Sequence, residues 1–518
     1  MGCVESSYFS RGAFVSSTSN GLVSQGSMRG IGFAYSSDRC ESKHSASPAR
    51  RSRPRSDRLV AHKPMITANP LPSGVSDHAP EERYVAGTAP RKRFVLPRTV
   101  LSIGDQCLVS GTNFLTMVIV GRACGLYELG VYSLAFTIVV ILMAMQESLL
   151  IAPYTVIMSR LRGETGRRNY GVATLLQQLL VACAVSAVLL MVSAGAAMLS
   201  PPAEYSDLCL MLAIVSPFWL LKEFARRACY VELNMGRPIL LDGVAASVQL
   251  SLLCAMWARG ELSASGALAA AGAGHASAAA IWWIAFRPKF SLRRSMFHRA
   301  LRLNWAFGSW ACVGRATDML HAYSIHWLLA LVSGPAATGA YAAASSLLAL
   351  SNPVLMGIGN VLAPETASAY AAGGIASLRQ VVLRASCQVT LVTATFVVLL
   401  GTCAEPLLNL TFGQVREGQA AIVIILALSM LGGMTSFGAD NGLRALARPA
   451  ENFKAGFVGF LVSLLVAAAL VGQWEATGAA IGALAGNLTS ALVRIVLFLR
   501  IVRVRSAITT TVAYGIER

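Results

Sequence analysis

From Leu101 onward the chain alternates between long apolar runs and short polar islands. Twelve runs stand out, at 101–122, 126–157, 171–199, 208–233, 239–258, 262–286, 305–333, 338–370, 381–404, 420–443, 454–473 and 478–499. At a rise of about 1.5 Å per residue, ~20 apolar residues in a helix cross the ~30 Å hydrocarbon core of a bilayer. Every run reaches that length, and the longer ones must tilt or project into the headgroups. The pattern predicts an all-α integral membrane protein with about twelve transmembrane helices.

The islands differ in charge, and that orients the spans. With the N-terminus cytoplasmic, the connectors on that side hold Arg160, Arg162, Arg167, Arg168, Lys222, Arg226, Arg227, Arg237, Arg287, Lys289, Arg293, Arg294, Arg299, Arg302, Arg379, Arg384, Arg444, Arg448 and Lys454, nineteen basic residues. The opposite connectors hold three, Arg122, Arg259 and Arg416, and carry Glu204, Asp207, Glu261, Glu405, Glu417 and Glu475 instead. Short cytoplasmic loops accumulate Lys and Arg, so the bias predicts cytoplasmic termini and an even number of spans.

The two halves echo each other. Ala152-Pro153 pairs with Ala363-Pro364 and Arg237-Pro238 with Arg448-Pro449, both at an offset of 211; Gly266/Ala270/Gly274 pairs with Gly478/Gly482/Gly486 at 212, and Gly130-Val131-Tyr132 with Gly339-Ala340-Tyr341 at 209. Six spans per repeat is an even number, which predicts two parallel six-helix repeats around a central cavity, related by an axis along the membrane normal. The small residues spaced four apart in the sixth and twelfth spans let neighbouring helices approach closely.

Composition agrees: 55% of the 518 residues are hydrophobic and 13% charged, against about 25% charged in soluble domains, which excludes an ordinary soluble enzyme. Residues 1–98 are the exception, with fifteen Lys/Arg, seven Asp/Glu and the stretch SASPARRSRPRSDR at 45–58, and read as a disordered basic cytoplasmic tail. Its start, Met1-Gly2-Cys3-Val4-Glu5-Ser6, fits an N-myristoylation pattern; a transit peptide, or a true start at Met65, are rival readings. The net charge of +18 reads as loops facing anionic lipid, with no nucleic-acid partner. Eleven scattered cysteines without a C-x-x-C imply neither disulfides nor a metal site, and no cofactor is expected. No metal-protease helix, Walker loop or nucleophile elbow occurs, so the chain is not expected to be an enzyme.

Charges inside apolar runs cost about 2.5–3.5 kcal/mol on insertion scales and normally face protein or water. Arg315, Asp318 and His321 follow one another at i+3 on one face of the seventh run, either as a structural set or as part of a cavity wall. Asp105 stands at the cytoplasmic start of the first run, at the headgroup boundary or in the cavity, and Asp440 and Arg444 form an i, i+4 pair in the tenth. These six are the candidate substrate or cavity residues. Glu147 is open to either role, whereas His326 and His275 read as core or helix contacts.

The run Gly104-Asp105-Gln106 through Ser110-Gly111-Thr112-Asn113-Phe114, followed by Gly130-Val131-Tyr132-Ser133-Leu134-Ala135, resembles the opening of Wzx-type polysaccharide-biosynthesis membrane proteins. Gly339-Ala340-Tyr341-Ala342-Ala343-Ala344, ending in Leu362-Ala363-Pro364-Glu365, resembles the eighth span of the same family, part of the multidrug/oligosaccharidyl-lipid/polysaccharide exporter superfamily. The resemblance spans roughly 95–505. It implies two six-helix lobes and the flipping of a lipid-linked oligosaccharide across a bacterial inner membrane for surface polysaccharide biosynthesis. It also implies membrane lipid and that substrate as partners, alongside a polysaccharide polymerase and glycosyltransferases. The alternatives are a MATE-like cation-coupled exporter of organic cations and a non-transporting scaffold. The expected organisation is a tail at 1–98, a first lobe at 99–286, a basic cytoplasmic linker at 287–304, a second lobe at 305–500 and a short tail at 501–518.

Overall fold

The computed structural model describes residues 98–516 apart from 162, 199–202, 233–235, 287–293 and 414–417. The basic tail and its lipidation pattern lie outside the described residues. Within them every element is helical: α1 (Arg98–Gln146), a π-turn (Glu147–Ile151), α2 (Ala152–Arg160), α3 (Glu164–Met198), α4 (Ala203–Val231), α5 (Gly236–Arg259), α6 (Ala264–Phe286), α7 (Arg294–Leu348), a 3-10 turn (Ala349–Ser351), α8 (Asn352–Thr402), α9 (Ala404–Phe412), α10 (Gln419–Met434), α11 (Phe437–Ala445) and α12 (Pro449–Ile516).

Eight helical stretches are long and apolar enough to cross a membrane, and three of them, of 58, 92 and 57 residues, are too long for one crossing. The longest would reach roughly 138 Å if straight. They are not straight. At Gly125, Gly334, Gly374 and Glu475 the backbone passes through φ of 84°, 85°, 61° and 42°, and the helix breaks within a single residue. Those four breaks divide the eight stretches into twelve segments centred on the twelve apolar runs.

The breaks also carry the repeat. Gly125 (φ 84°, ψ −178°) and Gly334 (φ 85°, ψ 177°) lie 209 residues apart and share one backbone conformation that L side chains rarely adopt. Five residues beyond each break the two halves touch. A Cβ on Gly130 would stand 1.9 Å from the Pro335 carbonyl oxygen, and one on Gly339 1.8 Å from that of Leu126, so each half packs backbone to backbone on the other. The ladders of the sixth and twelfth spans act likewise: Gly274 lies against the Ala245 carbonyl and Gly486 against that of Gly459.

Two segments carry helix beyond the twelve apolar runs. The linker expected at 287–304 is helical from Arg294 and runs unbroken into α7, because Ala300 and Asn304 stand i, i+4 on a buried face while Arg299 and Arg302 stay exposed. An additional short helix, α9, fills the connector after Thr402. Its Phe412 packs against Gly121, and Arg122 donates to the Leu410 carbonyl at 2.8 Å, a cation on the C-terminal end of a helix.

Packing distinguishes the two ends. The end holding the Gly125, Gly334 and Glu475 turns, the acidic end, has one core drawing on both halves, including Val120, Leu129, Tyr132, Leu268, Leu329, Tyr341, Leu408, Val423 and Val471. At the opposite, basic end the core is split. Tyr154, Tyr170, Phe224, Leu241 and Trp282 of the first half cluster around Ala300 of α7, whereas Leu378, Val382, Leu443, Phe498 and Val502 form a separate cluster in the second half. The halves are joined at one end and divided at the other.

Candidate functional site: a cleft between two halves

Where the core divides, the two parts of α1 on either side of Gly125 meet the end of α7, the 3-10 turn and the start of α8. A pocket opens there, lined by Ser110, Asn113, Phe114, Met117, Tyr132 and Phe136 of the first half and Ser346, Ala349 and Asn352 of the second. Its lining is aromatic and neutral-polar. Tyr132 and Phe136 stack at 6.2 Å between centroids, and Phe136 leans on Trp219 at 5.9 Å, which holds the aromatic wall in place.

The charged residues form two clusters toward the basic end. In the first half, α4 places Lys222, Arg226 and Tyr230 on one stripe and Glu223 and Arg227 on the next, by the i, i+4 geometry of the helix. Lys222 pairs with Asp242 of α5; Arg226 lies 3.7 Å from both Asp242 and Glu223; Arg227 reaches Glu223 at 3.2 Å and Glu147 in the π-turn at 3.6 Å. The Tyr230 hydroxyl donates to Asp105, which is also an electrostatic neighbour of Asp242 and Arg226. Asp105, Lys222, Glu223, Arg226 and Asp242 are all at most 6% exposed. A buried ladder of this kind adds little net stability, but removing one member leaves an uncompensated charge.

Lys222, Arg226 and Arg227 therefore do not belong to a cytoplasmic loop. They lie within α4 and answer carboxylates on neighbouring helices, so the charge bias on that side falls from nineteen to sixteen. The signal was available in part: Asp242 is a carboxylate inside an apolar run, and Lys222, Arg226 and Tyr230 recur every fourth residue.

The second cluster joins α7, α11 and α12. Arg444 pairs with Asp440 at 2.6 Å; Arg494 lies 3.7 Å from Asp440 and donates to the Ser436 hydroxyl at 3.1 Å. Asp318, exposed, has Arg315, His321 and Arg494 as its electrostatic neighbours. The His321 Nδ1 lies 3.2 Å from the Gly456 carbonyl oxygen, and Arg315 is in turn a neighbour of Glu147. Of the six residues singled out in the sequence, Arg315, Asp318, His321, Asp440 and Arg444 thus share a neighbourhood, while Asp105 belongs to the other cluster. Arg494 is not among those six, although it too is a charge inside an apolar run. His326, 2% exposed between Tyr341 and Tyr323, and His275, stacked on Trp219 at 4.2 Å, are packed core residues.

Helix α7 ties the clusters together. Its first part is bound to the first half: Tyr170 donates to Asn304 at 2.6 Å, Asn304 donates to Gln177 at 2.7 Å, and Gly308 rests on the Ser148 carbonyl of the π-turn. Thirteen residues beyond Gly308, between three and four turns along, the same helix reaches α12 through His321. Arg315 and Asp318 lie between these attachments.

The family model described as polysaccharide biosynthesis protein matches residues 98–370. No curated protein matches the chain. Among solved structures it is similar to an inward-facing conformation of a multidrug resistance MATE family transporter of the MOP superfamily, at 14% identity and a TM-score of 0.64, covering 80% of this chain and 100% of that one. An outward-facing conformation of such a transporter gives 14% identity and 0.56, covering 78% and 94%. A MOP superfamily transporter from Pyrococcus furiosus, described by a reversed polarity of its binding pocket, gives the same figures. At that identity the likeness is one of fold. With over half its length matched by the family model, the chain is a multi-pass membrane protein that belongs to the polysaccharide biosynthesis protein family.

Proposed function

We propose that the chain is a transporter that flips a lipid-linked oligosaccharide across the cytoplasmic membrane for surface polysaccharide synthesis. The observation that carries this reading is the divided core: two helical halves share one apolar end and part at the other, leaving between them a cleft lined by aromatic and neutral polar side chains. A lipid-linked glycan needs such a route, since its head cannot enter hydrocarbon while its lipid tail can stay outside. The four helix breaks support a reading of twelve crossings. Two independent observations support the orientation: the divided end carries the basic connectors, and the TM-score is higher against an inward-facing relative than against an outward-facing one. The basic end is then cytoplasmic. Polymerase and glycosyltransferases would be its partners, handling the glycan before and after it crosses.

Export of organic cations is the other reading for this fold. The cavity lining holds no acidic side chain, which favours a neutral or anionic substrate.

Proteoliposomes loaded with a fluorescent polyprenyl-diphosphate oligosaccharide test the proposal. The purified chain should expose the inner-leaflet glycan to an external lectin, and folded wild type that moves none of it would refute the reading. In cells, Arg315→Ala should abolish surface polysaccharide at normal membrane abundance, with partial rescue by Arg315→Lys, because only the planar fork binds phosphate bidentately. Loss of abundance in step with activity would make the α7 cluster structural.

A further inference from the structure

The cavity lining has a chemistry that the charged clusters lack. Asn113 and Asn352 reach it from opposite halves of the molecule, each half-buried, and among the described residues neither side-chain amide has a hydrogen-bond partner. A carboxamide offers two donors and an acceptor with two lone pairs, and leaving these unmet in a partly buried site is costly unless water or a ligand meets them. Ser110 adds a hydroxyl that accepts from Gln106 at 3.3 Å, and Ser346 one that donates to the Ala343 carbonyl at 2.7 Å; both keep lone pairs in reserve. Around these polar atoms stand Phe114, Tyr132 and Phe136. No lining residue carries a charge at neutral pH.

Each class of ligand makes a different demand on such a wall. A diphosphate requires cations or aligned N–H donors, and none of the lining side chains is cationic. A polyprenyl tail would leave the amides unpaired. A pyranose ring matches both features: its edge carries hydroxyl or acetamido groups that donate and accept, and its C–H faces pack on aromatic rings. Depth agrees as well. Ser110 to Met117 lie 8–15 residues before the Gly125 turn, roughly 12–22 Å from the acidic end along the helix, which is mid-membrane and out of reach of a tail lying in lipid.

We propose that this cavity is the glycan-reading subsite, in which Asn113 and Asn352 together hydrogen-bond a neutral sugar ring stacked against the Tyr132–Phe136 wall. The assignment rests on the flippase reading above and goes further, giving selectivity to uncharged groups at the cleft's closed end. Because the two amides belong to different halves, a sugar held by both bridges the halves at the point where they part.

The test compares two probes in nanodiscs bearing the full chain: polyprenyl diphosphate, and the same lipid carrying one N-acetylhexosamine. The wild type should prefer the glycosylated lipid by about tenfold or more, the yield of one or two well-made hydrogen bonds. Asn113→Leu with Asn352→Leu should bring that preference to about one, while Asn113→Gln and Asn352→Gln should retain part of it. A thermal unfolding measurement on each variant separates loss of fold from loss of reading. A wild type without preference, or a folded double variant that still discriminates, overturns the subsite. If instead the wild type discriminates but moves neither lipid across vesicles, the transport reading fails and the binding assignment stands.

Discussion

Gly339→Ala is the smallest perturbation with a large expected effect. The added Cβ would stand 1.8 Å from the Leu126 carbonyl oxygen, whereas ordinary contact begins near 3.4 Å, a shortfall of about 1.6 Å against backbone that no side-chain rotation can relieve. The segments starting at residues 126 and 335 must therefore separate where they cross, and the shared core around Leu129, Tyr132 and Tyr341 separates with them. Overpacking in a well-filled core costs about 1–3 kcal/mol when side chains can adjust, so about 3 kcal/mol is the lower bound here. Gly357→Ala supplies the opposite sign. Its Cβ would meet nothing within 4 Å, and it lies in helical α8, so the change should be neutral or stabilise by up to about 1 kcal/mol. Thermal unfolding of the detergent-purified variants, followed by size-exclusion homogeneity, reads both. Equal unfolding temperatures for Gly339→Ala and the wild type would refute the close crossing of the halves.

Asp242→Ala should destabilise strongly, by about 3–5 kcal/mol, because Lys222 and Arg226 lose a buried partner, whereas Lys222→Met combined with Asp242→Leu should recover most of the loss; a stable Asp242→Ala protein would show that the ladder is not closed as described. Cysteines introduced at Glu164 and Arg379 in a cysteine-free background should be protected from impermeant reagent in intact cells, and those at Glu261 and Glu475 labelled; the reverse pattern would invert the orientation.

Most of the fold is legible in the pattern of apolar runs, since burial in lipid demands long uninterrupted helices and leaves little room for anything else. The breaks at Gly125 and Gly334 are partly legible, as glycines at one repeat offset. Glu475 is not, because nothing in its residue type announces a positive φ; the constraint comes from α12 folding back on itself. The candidate site is less legible. Arg315 and Asp440 stand out as charges among apolar residues, but Lys222 and Arg226 look like loop charges until α5 brings Asp242 beside them. Asn113 and Asn352 are 239 positions apart in a chain with many such residues, and only the meeting of the two halves gives them a common purpose.

The undivided core at the acidic end sets a toll on the resting molecule. For the cleft to open on that face, the contacts that Leu129, Tyr132, Leu329 and Tyr341 make across the midline must be surrendered, while the two clusters at the basic end merge to replace them. The exchange is uneven, one broad seam given up for the union of two smaller clusters. An empty protein should therefore dwell with its basic face open and cross over rarely on its own. Turnover would then be governed by how far cargo, or an ion gradient, narrows that free-energy gap, and vesicles containing protein without a driving gradient should run slowly in the outward direction even when substrate is plentiful.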